Sequence, residues 1–164
     1  MNAIICDSFG PPANLRYGEL PTPVVKPTEI LIDVHACSVN FPDTLIIQGL
    51  YQFKPELPFS PGGEVAGILS ELGDEVQGLE LGQPVLALCG WGGFAEKVAV
   101  DADRVFPLPE GISPEVAATT LYTYGTSYHA LKDRAHLRQG ETLLVMGASG
   151  GVGLAAVELG KLMG

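Results

Sequence analysis

The stretch TLLVMGASGGVGLAA, residues 142–156, decides how the second half of this 164-residue chain is interpreted. An apolar run precedes a glycine-rich turn, and an alanine-rich segment with helical spacing follows it. This order predicts a strand, a phosphate-binding turn and a helix. Glycines let the backbone approach a pyrophosphate closely, and the N–H groups and dipole at the start of the following helix favour the anion.

The glycines of this turn have the spacing G-x-x-G-x-x-G, across Gly147, Gly150 and Gly153. A helix C-cap or a hairpin also produces a glycine cluster, but the position between a strand and a helix favours a dinucleotide turn. The residues expected to contact the cofactor are those of the turn and of the first helical turn, namely Ser149, Gly150, Gly151 and Val152.

The sequence continues only as far as Gly164. In dinucleotide folds, the residue that reads the ribose 2′ position lies about 20 residues beyond the glycines. The sequence therefore predicts the front part of a longer enzyme. We expect the 164-residue chain alone to have little activity and to bind the dinucleotide weakly.

Composition excludes several classes of protein. The chain is 46% hydrophobic and 17% charged, which is typical of a folded protein. Its 19 acidic and 9 basic residues give a net charge of −10, which disfavours nucleic acid as a partner. Three cysteines, Cys6, Cys37 and Cys89, give no disulfide framework and fit the cytoplasm. We expect no signal peptide and no membrane span.

The first 115 residues favour an all-β unit. Glycines and prolines separate short apolar runs at close intervals, and this predicts a small, partly open barrel. A short helix is predicted over residues 42–48. The predicted strands are residues 3–6, 29–38, 64–72, 84–88, 94–100 and 104–106.

The strand over 29–38 alternates in polarity. Ile30 and Ile32 fall on one face, and His35 and Cys37 fall together on the other. Two candidate ligands do not make a tetrahedral metal site, so the residues are interpreted as structural rather than as ligands.

The pattern changes at residues 113–115, where Ser113, a proline and a glutamate suit the N-cap and first turn of a helix that runs to about 119. A second helix is predicted over 126–135, with Thr126 at its start. The chain is therefore expected to be mainly β with an α/β end. Residues 1–115 form the first domain, and residues 116–164 form linking helices and the start of a nucleotide-binding domain.

Five segments of the chain, in this order, resemble motifs of the medium-chain dehydrogenase/reductase superfamily. The branch that the chain resembles is the zinc-free quinone oxidoreductases, which include zeta-crystallin-like proteins and enoyl reductases. The resemblance covers essentially the whole chain. It implies a GroES-like, partly open β-barrel followed by the first βα unit of a truncated Rossmann fold. The segments are ACSVNFPDT (36–44), QGLY (48–51), PGGEVAG (61–67), GQPV (82–85) and GASGGVG (147–153).

The resemblance also indicates whether the chain carries the ligands of a zinc ion. Zinc-dependent relatives place a cysteine ligand where this chain has Asn40 and a histidine ligand where it has Gly63. An amide and a glycine do not replace a thiolate and an imidazole on zinc. Relatives with a structural zinc carry closely spaced cysteines, whereas Cys89 stands alone here. No zinc is therefore expected.

The implied activity is metal-free hydride transfer from NADPH, or NADH, to a quinone or conjugated enone. An alternative is an enoyl-thioester reductase of the acryloyl-CoA type. An alternative of another class is a non-catalytic fragment or binding module. At full length the resemblance implies a cytoplasmic homodimer that acts on a small molecule.

Three side chains are implied in the site. Asn40 matches the family's asparagine beside the nicotinamide ribose, and is also a good helix N-cap. Tyr51 matches a tyrosine proposed as proton donor in enoyl-thioester reductases, and is alternatively a loop residue packing near Pro55 and Pro58. Thr126 matches a threonine at the nicotinamide end of the cofactor, or serves as an N-cap.

Three further residues complete the expectations for this region. Leu45 stands where many quinone-reductase relatives have a second tyrosine, which makes the pocket more apolar. Asp43 is expected to support the first turn of its helix. Glu64 is expected to be a hydrogen-bonding residue at the end of a strand rather than a catalyst.

Overall fold

The computed structural model describes residues 1–164 and divides them into two compact units, Met1–Thr119 and Thr120–Gly164. None of the helices combines the length and the apolar character needed to cross a membrane. The first unit contains seven strands and two short α-helices. Its elements are β1 Asn2–Cys6, β2 Leu15–Glu19, β3 Glu29–Cys37, α1 Phe41–Ile46, β4 Glu64–Leu72, β5 Pro84–Leu88, β6 Lys97–Asp101, β7 Val105–Pro107 and α2 Pro114–Ala117, with 3₁₀ turns at Pro12–Asn14 and Ala102–Arg104.

Five of the strands form one antiparallel sheet in the order β6-β3-β4-β5-β7. β1 and β2 form a separate antiparallel pair. Isolated bridges from Ala3 to Ala95 and from Cys6 to Phe59 join β1 to later loops. The edge strands β6 and β7 do not pair with each other, so the larger sheet stays open, in line with the predicted partly open barrel.

The core lies mainly on one face of the five-stranded sheet. Its buried members are aliphatic residues from alternate positions of the strands, the pattern that a pleated sheet requires. A smaller cluster joins β1, α1 and the loop before β4, and consists of Cys6, Ile46, Ile47 and Phe59. The main cluster contains Ile30, Ile32, Val65, Leu69, Val85, Ala87, Val98, Val100 and Val105.

The expectation that His35 and Cys37 share a strand face is wrong. Val34 pairs with Gly67 and the next pair is Ala36 with Ala66, so His35 is an extra residue in a β-bulge. One inserted residue reverses the alternation that follows it. Cys37 therefore packs against the main core cluster, whereas His35 is exposed.

Local sequence signals position the two short helices. α1 begins after Asn40, with a proline in its first turn. α2 begins after Ser113, whose hydroxyl oxygen accepts a hydrogen bond from the N–H of Val116 at 3.4 Å. Both helices were predicted, and α2 packs against β3 and β4.

The second unit departs from the prediction in two places. The helical stretch begins at Leu121, because a π-helical segment Leu121–Gly125 runs directly into α3, Thr126–Tyr128, and a second one follows over His129–Arg134. Thr126 therefore lies inside a helix with φ −61° and ψ −47°, and its assignment as an N-cap is wrong.

The predicted strand over 142–146 is not formed. No strand of this chain pairs with it, and a strand needs a partner for its backbone groups. Leu144 and Met146 are accordingly 84% and 90% exposed. The helix that was expected to follow is present as α4, Gly151–Leu162.

We predict that Gly67→Ala destabilises the first unit. A Cβ on Gly67 would lie 2.0 Å from the carbonyl oxygen of Asp33, which is backbone and cannot swing aside. We expect a loss of about 2–3 kcal/mol in the free energy of unfolding, measured by urea denaturation with Trp91 fluorescence.

Gly18→Ala in β2 is the matched control. Its Cβ would meet chiefly the flexible end of the Arg16 side chain, so its effect should stay within about 0.5 kcal/mol. Equal unfolding midpoints for the two variants would contradict the close packing of β3 on β4 at Gly67.

Candidate functional site

Asn40 occupies the turn between β3 and α1. It is the N-cap residue of α1, with extended backbone angles of φ −114° and ψ 162°. Its N–H donates a 2.7 Å hydrogen bond to Oδ2 of Asp43, so the side chain of the third helical residue reaches back to the cap. This contact holds Asn40 in place at the start of the helix and confirms the role expected for Asp43.

The side chain of Asn40 belongs to a three-membered polar cluster with Ser38 and Glu64. Nδ2 of Asn40 donates to Oγ of Ser38 at 2.6 Å and to Oε2 of Glu64 at 3.3 Å. The hydroxyl of Ser38 in turn donates to the same Glu64 oxygen at 3.2 Å. Glu64 is fully buried at the first residue of β4, which confirms its expected role as a hydrogen-bonding residue at a strand end.

A second buried carboxylate, that of Asp43, lies beside this cluster and is 5% exposed. Oδ1 of Asp43 accepts a hydrogen bond from the N–H of Gly62 at 3.2 Å. Burial raises the pKa of Asp43, and the backbone N–H groups of Asn40, Gly62 and Gly63 oppose that rise because they stabilise the charged form. Asp43 thus connects the start of α1 to the turn that leads into β4.

The nearby cysteines are poor nucleophiles. Burial is the main reason that the pKa of Cys37 is raised to about 12, and the charge of Asp43 adds to the effect. Burial likewise raises the pKa of Cys89, whose thiol faces the carbonyl oxygen of Gly62 at 3.3 Å. Both thiols therefore stay protonated near neutral pH, and thiolate chemistry is not available at this site.

Asn40 and Gly63, the two residues that the sequence comparison set against zinc ligands, carry neither a thiol nor an imidazole. Gly63 has no side chain, and its carbonyl oxygen accepts hydrogen bonds from the N–H groups of Cys89 and Gly90 at 3.0 and 3.1 Å. The amide of Asn40 is bound to Ser38 and Glu64. No three side chains of histidine, cysteine, aspartate or glutamate come together in a metal-binding group.

Tyr51 lies in the loop after α1 and is partly buried. It packs against the small cluster that includes Ile46 and Phe59, and its ring meets that of Phe53 edge-on with centroids 6.2 Å apart. Packing of Tyr51 near Pro55 and Pro58 stays a prediction. Its role as a proton donor stays a prediction.

In the second unit, the glycine turn precedes α4. Gly147 has φ +76°, and a Cβ on Gly153 would lie 2.2 Å from the carbonyl oxygen of Gly147, so the turn is closely packed on its own helix. Gly150 is the N-cap residue, and no side chain caps the helix. Gly151 and Val152 are exposed in the first turn, and Ser149 precedes the cap.

Packing within this unit steadies the start of α4. The buried hydroxyl of Ser127 donates a 2.7 Å hydrogen bond to the carbonyl oxygen of Val152. Tyr124, one helical turn earlier, donates a hydrogen bond to Glu158. Thr126 lies between these two residues and is exposed.

The structure brings together some of the residues identified from the sequence and separates others. Asn40 and Glu64 share the polar cluster, Asp43 lies beside it, and sequence reasoning had not identified its third member, Ser38. Ser38 lies two residues before Asn40, but its partner Glu64 is remote in sequence, and no local pattern indicates that contact. Tyr51 belongs to a different cluster of the same unit.

Comparison with known proteins identifies the family. The alcohol dehydrogenase GroES-like domain matches residues 26–110, which include β3 to β7 and the Asn40 cluster. A quinone oxidoreductase of Mus musculus is 40% identical over 166 residues, an alignment that covers 100% of this chain and 50% of the mouse protein. A quinone oxidoreductase-like protein 2 homolog of Nematostella vectensis is 39% identical over 96% of this chain and 43% of its own length.

Solved structures agree with these relatives. The quinone oxidoreductase from Thermus thermophilus, also solved in its complex with NADPH, superposes with a TM-score of 0.86 at 39% identity, covering 100% of this chain and 51% of that one. The chain spans about half the length of the curated relatives it matches. It belongs to the alcohol dehydrogenase GroES-like family, as a homologue of the quinone oxidoreductases of the medium-chain dehydrogenase/reductase superfamily.

Proposed function

We propose that this chain belongs to an NADPH-dependent reductase that transfers a hydride to a quinone or a conjugated enone without a metal ion. The observation that carries the proposal is the alignment of the whole chain with quinone oxidoreductases, with Asn40 held at the position where zinc-dependent relatives have a cysteine. NADH is the alternative cofactor. At the length of its relatives the protein is expected to be a cytoplasmic homodimer.

The residues around the glycine turn fit a dinucleotide. The close packing of this turn requires glycine, because a side chain at Gly153 would collide with the backbone of Gly147. An uncapped helix start with exposed residues has N–H groups and a dipole suited to a pyrophosphate. The residues that would hold the phosphates are Ser149, Gly150, Gly151 and Val152.

Asn40 is proposed to contact the nicotinamide ribose, and Thr126 is separately proposed as a cofactor contact of the second unit. Bound NADPH supplies the hydride. Reduction of a carbonyl-conjugated carbon places negative charge on the carbonyl oxygen of the acceptor. The hydroxyl of Tyr51 is proposed to donate a hydrogen bond or a proton to that oxygen, and Leu45 keeps its side of the pocket apolar.

Zinc independence is part of the proposal, and the types of side chain near Asn40 support it. Two carboxylates lie near Asn40. Glu64 accepts hydrogen bonds from the side chains of Ser38 and Asn40, and Asp43 binds backbone N–H groups. The polarisation of the acceptor is therefore assigned to hydrogen-bond donors.

The first test is quinone-dependent oxidation of NADPH. A protein that contains this chain and has the length of the relatives should oxidise NADPH with 9,10-phenanthrenequinone at about 1 s⁻¹ or faster, followed at 340 nm. The 164-residue chain alone should stay at background. Crotonyl-CoA is the comparison substrate, and faster turnover with it would favour the enoyl-thioester alternative. No turnover with either acceptor would contradict the proposal.

The second prediction concerns Tyr51→Phe in the same full-length protein. Phenylalanine keeps the ring packing against Phe59 and Phe53 but removes the hydroxyl. We expect kcat to fall about 10- to 100-fold while the Kd for NADPH changes little, because the hydroxyl stabilises charge that develops in the transition state. Phe53→Leu, which alters only the neighbouring ring, is the control. Parent and Tyr51→Phe rates within a factor of about two would make Tyr51 a packing residue.

The third prediction concerns metal content. Elemental analysis of protein purified without chelator should find far less than one zinc per chain, and EDTA should leave quinone reduction unchanged. Asn40→Cys together with Gly63→His, which restores the two ligand types, is the matched positive control and should raise zinc retention. One tightly bound zinc in the parent protein would overturn zinc independence.

A further inference from the structure

In the polar cluster of Ser38, Asn40 and Glu64, each hydrogen bond has a defined donor and acceptor. The members of the cluster come from three segments, namely the end of β3, the cap of α1 and the first residue of β4. The three separations, 2.6, 3.2 and 3.3 Å, are all within hydrogen-bond range. Glu64 is the innermost member, with no exposed surface.

The geometry gives the direction of each hydrogen bond. The hydroxyl of Ser38 donates to Oε2 of Glu64, and Nδ2 of Asn40 donates to the same oxygen. Oγ of Ser38 then receives a hydrogen from its other neighbour, and the only donor in the Asn40 side chain is Nδ2. The amide nitrogen therefore faces the cluster, and the amide oxygen faces the opposite way.

We propose that Glu64 is a positioning residue that acts both directly and through Ser38: it holds the Asn40 amide in one orientation, so that Asn40 meets a ligand as a hydrogen-bond acceptor through Oδ1. The ligand group recognised at this point is then a donor, such as a ribose hydroxyl, and not a carbonyl or phosphate oxygen. The identity of the ligand rests on the proposed function, whereas the orientation of the amide does not.

The alternative role, a purely structural one, makes a different prediction. The same β3–β4 ladder contains a second serine–carboxylate pair, in which the hydroxyl of Ser70 donates to Oδ1 of Asp33 at 2.8 Å. That pair is exposed, and Asp33 also binds Lys97. Ser70→Ala therefore removes a comparable hydrogen bond between the same two strands and is the matched control.

Nuclear magnetic resonance of the 164-residue chain tests the orientation without any cofactor. The side-chain NH₂ group of Asn40, identified by its loss in Asn40→Asp, should exchange with water at least 10-fold more slowly than that of the exposed Asn14. Ser38→Ala should weaken this protection, because it removes the shorter of the two hydrogen bonds of Nδ2, while Ser38→Thr, which keeps the hydroxyl, should preserve it. Ser70→Ala should have no effect on Asn40.

Glu64→Gln tests the directionality. Glutamine occupies similar space but brings its own NH₂ donor, so the hydroxyl of Ser38 can reverse and the amide of Asn40 can turn over. We expect the pair of signals from the Asn40 NH₂ group to broaden or to split into two pairs. Unchanged exchange in Ser38→Ala, or an unchanged pair of signals in Glu64→Gln, would overturn the proposal.

Kinetics of the full-length protein tests the consequence for the ligand. Ser38→Ala and Glu64→Gln should each raise the KM for NADPH about 5- to 10-fold, with kcat within about twofold of the parent, because a lost hydrogen bond to bound cofactor weakens binding. Ser70→Ala should match the parent. If the variants lose the exchange protection of the Asn40 amide but keep the parent KM for NADPH, the cluster has a structural role only. Absence of NADPH turnover in the parent would refute the proposed function, and the resonance experiment would still decide the orientation.

Discussion

The carboxylate of Asp43 holds the site together, because it binds two chain segments that are distant in sequence. One of its oxygens accepts from the cap residue Asn40, and the other accepts from Gly62 in the turn before β4. A buried carboxylate loses the solvation of water, as its raised pKa shows, and backbone N–H groups replace part of it. The position of Glu64 relative to Asn40 depends on this connection, since Glu64 follows the same turn.

Much of the fold could be predicted because its signals are local. The strands over 64–72 and 84–88 have the predicted bounds, since apolar runs end there at turn residues. β2, Leu15–Glu19, was missed because its sequence LRYGE has little apolar alternation. The bulge at His35 was not predictable, because register is decided by the partner strand β4 rather than by β3 itself. The prediction of a strand over 142–146 was wrong for the same reason, because an apolar run becomes a strand only where another strand pairs with it.

The contacts of the candidate site likewise fall into one that is local in sequence, and could be predicted, and one that is remote, and could not. The contact between Asn40 and Asp43 spans three residues and follows the familiar spacing of a cap residue with an acid in the first turn. The contact of Ser38 with Glu64 spans 26 residues and forms only when β3 and β4 pair. Motif resemblance identified Asn40 and Glu64 separately, but only the fold shows that the two share a hydrogen-bond network.

The arrangement also explains how a buried carboxylate is accommodated beside Asn40. The buried carboxylate of Glu64 requires compensation, from a cation or from hydrogen-bond donors. Here a hydroxyl and an amide, Ser38 and Asn40, supply donors. The same two donors are tied to the cap of α1, so the groups that compensate the buried acid also fix the orientation of a side chain in the candidate site. Under the proposed function, precise orientation of a polar side chain is what this cluster would contribute to hydride transfer, a reaction whose rate depends on alignment of the reacting groups.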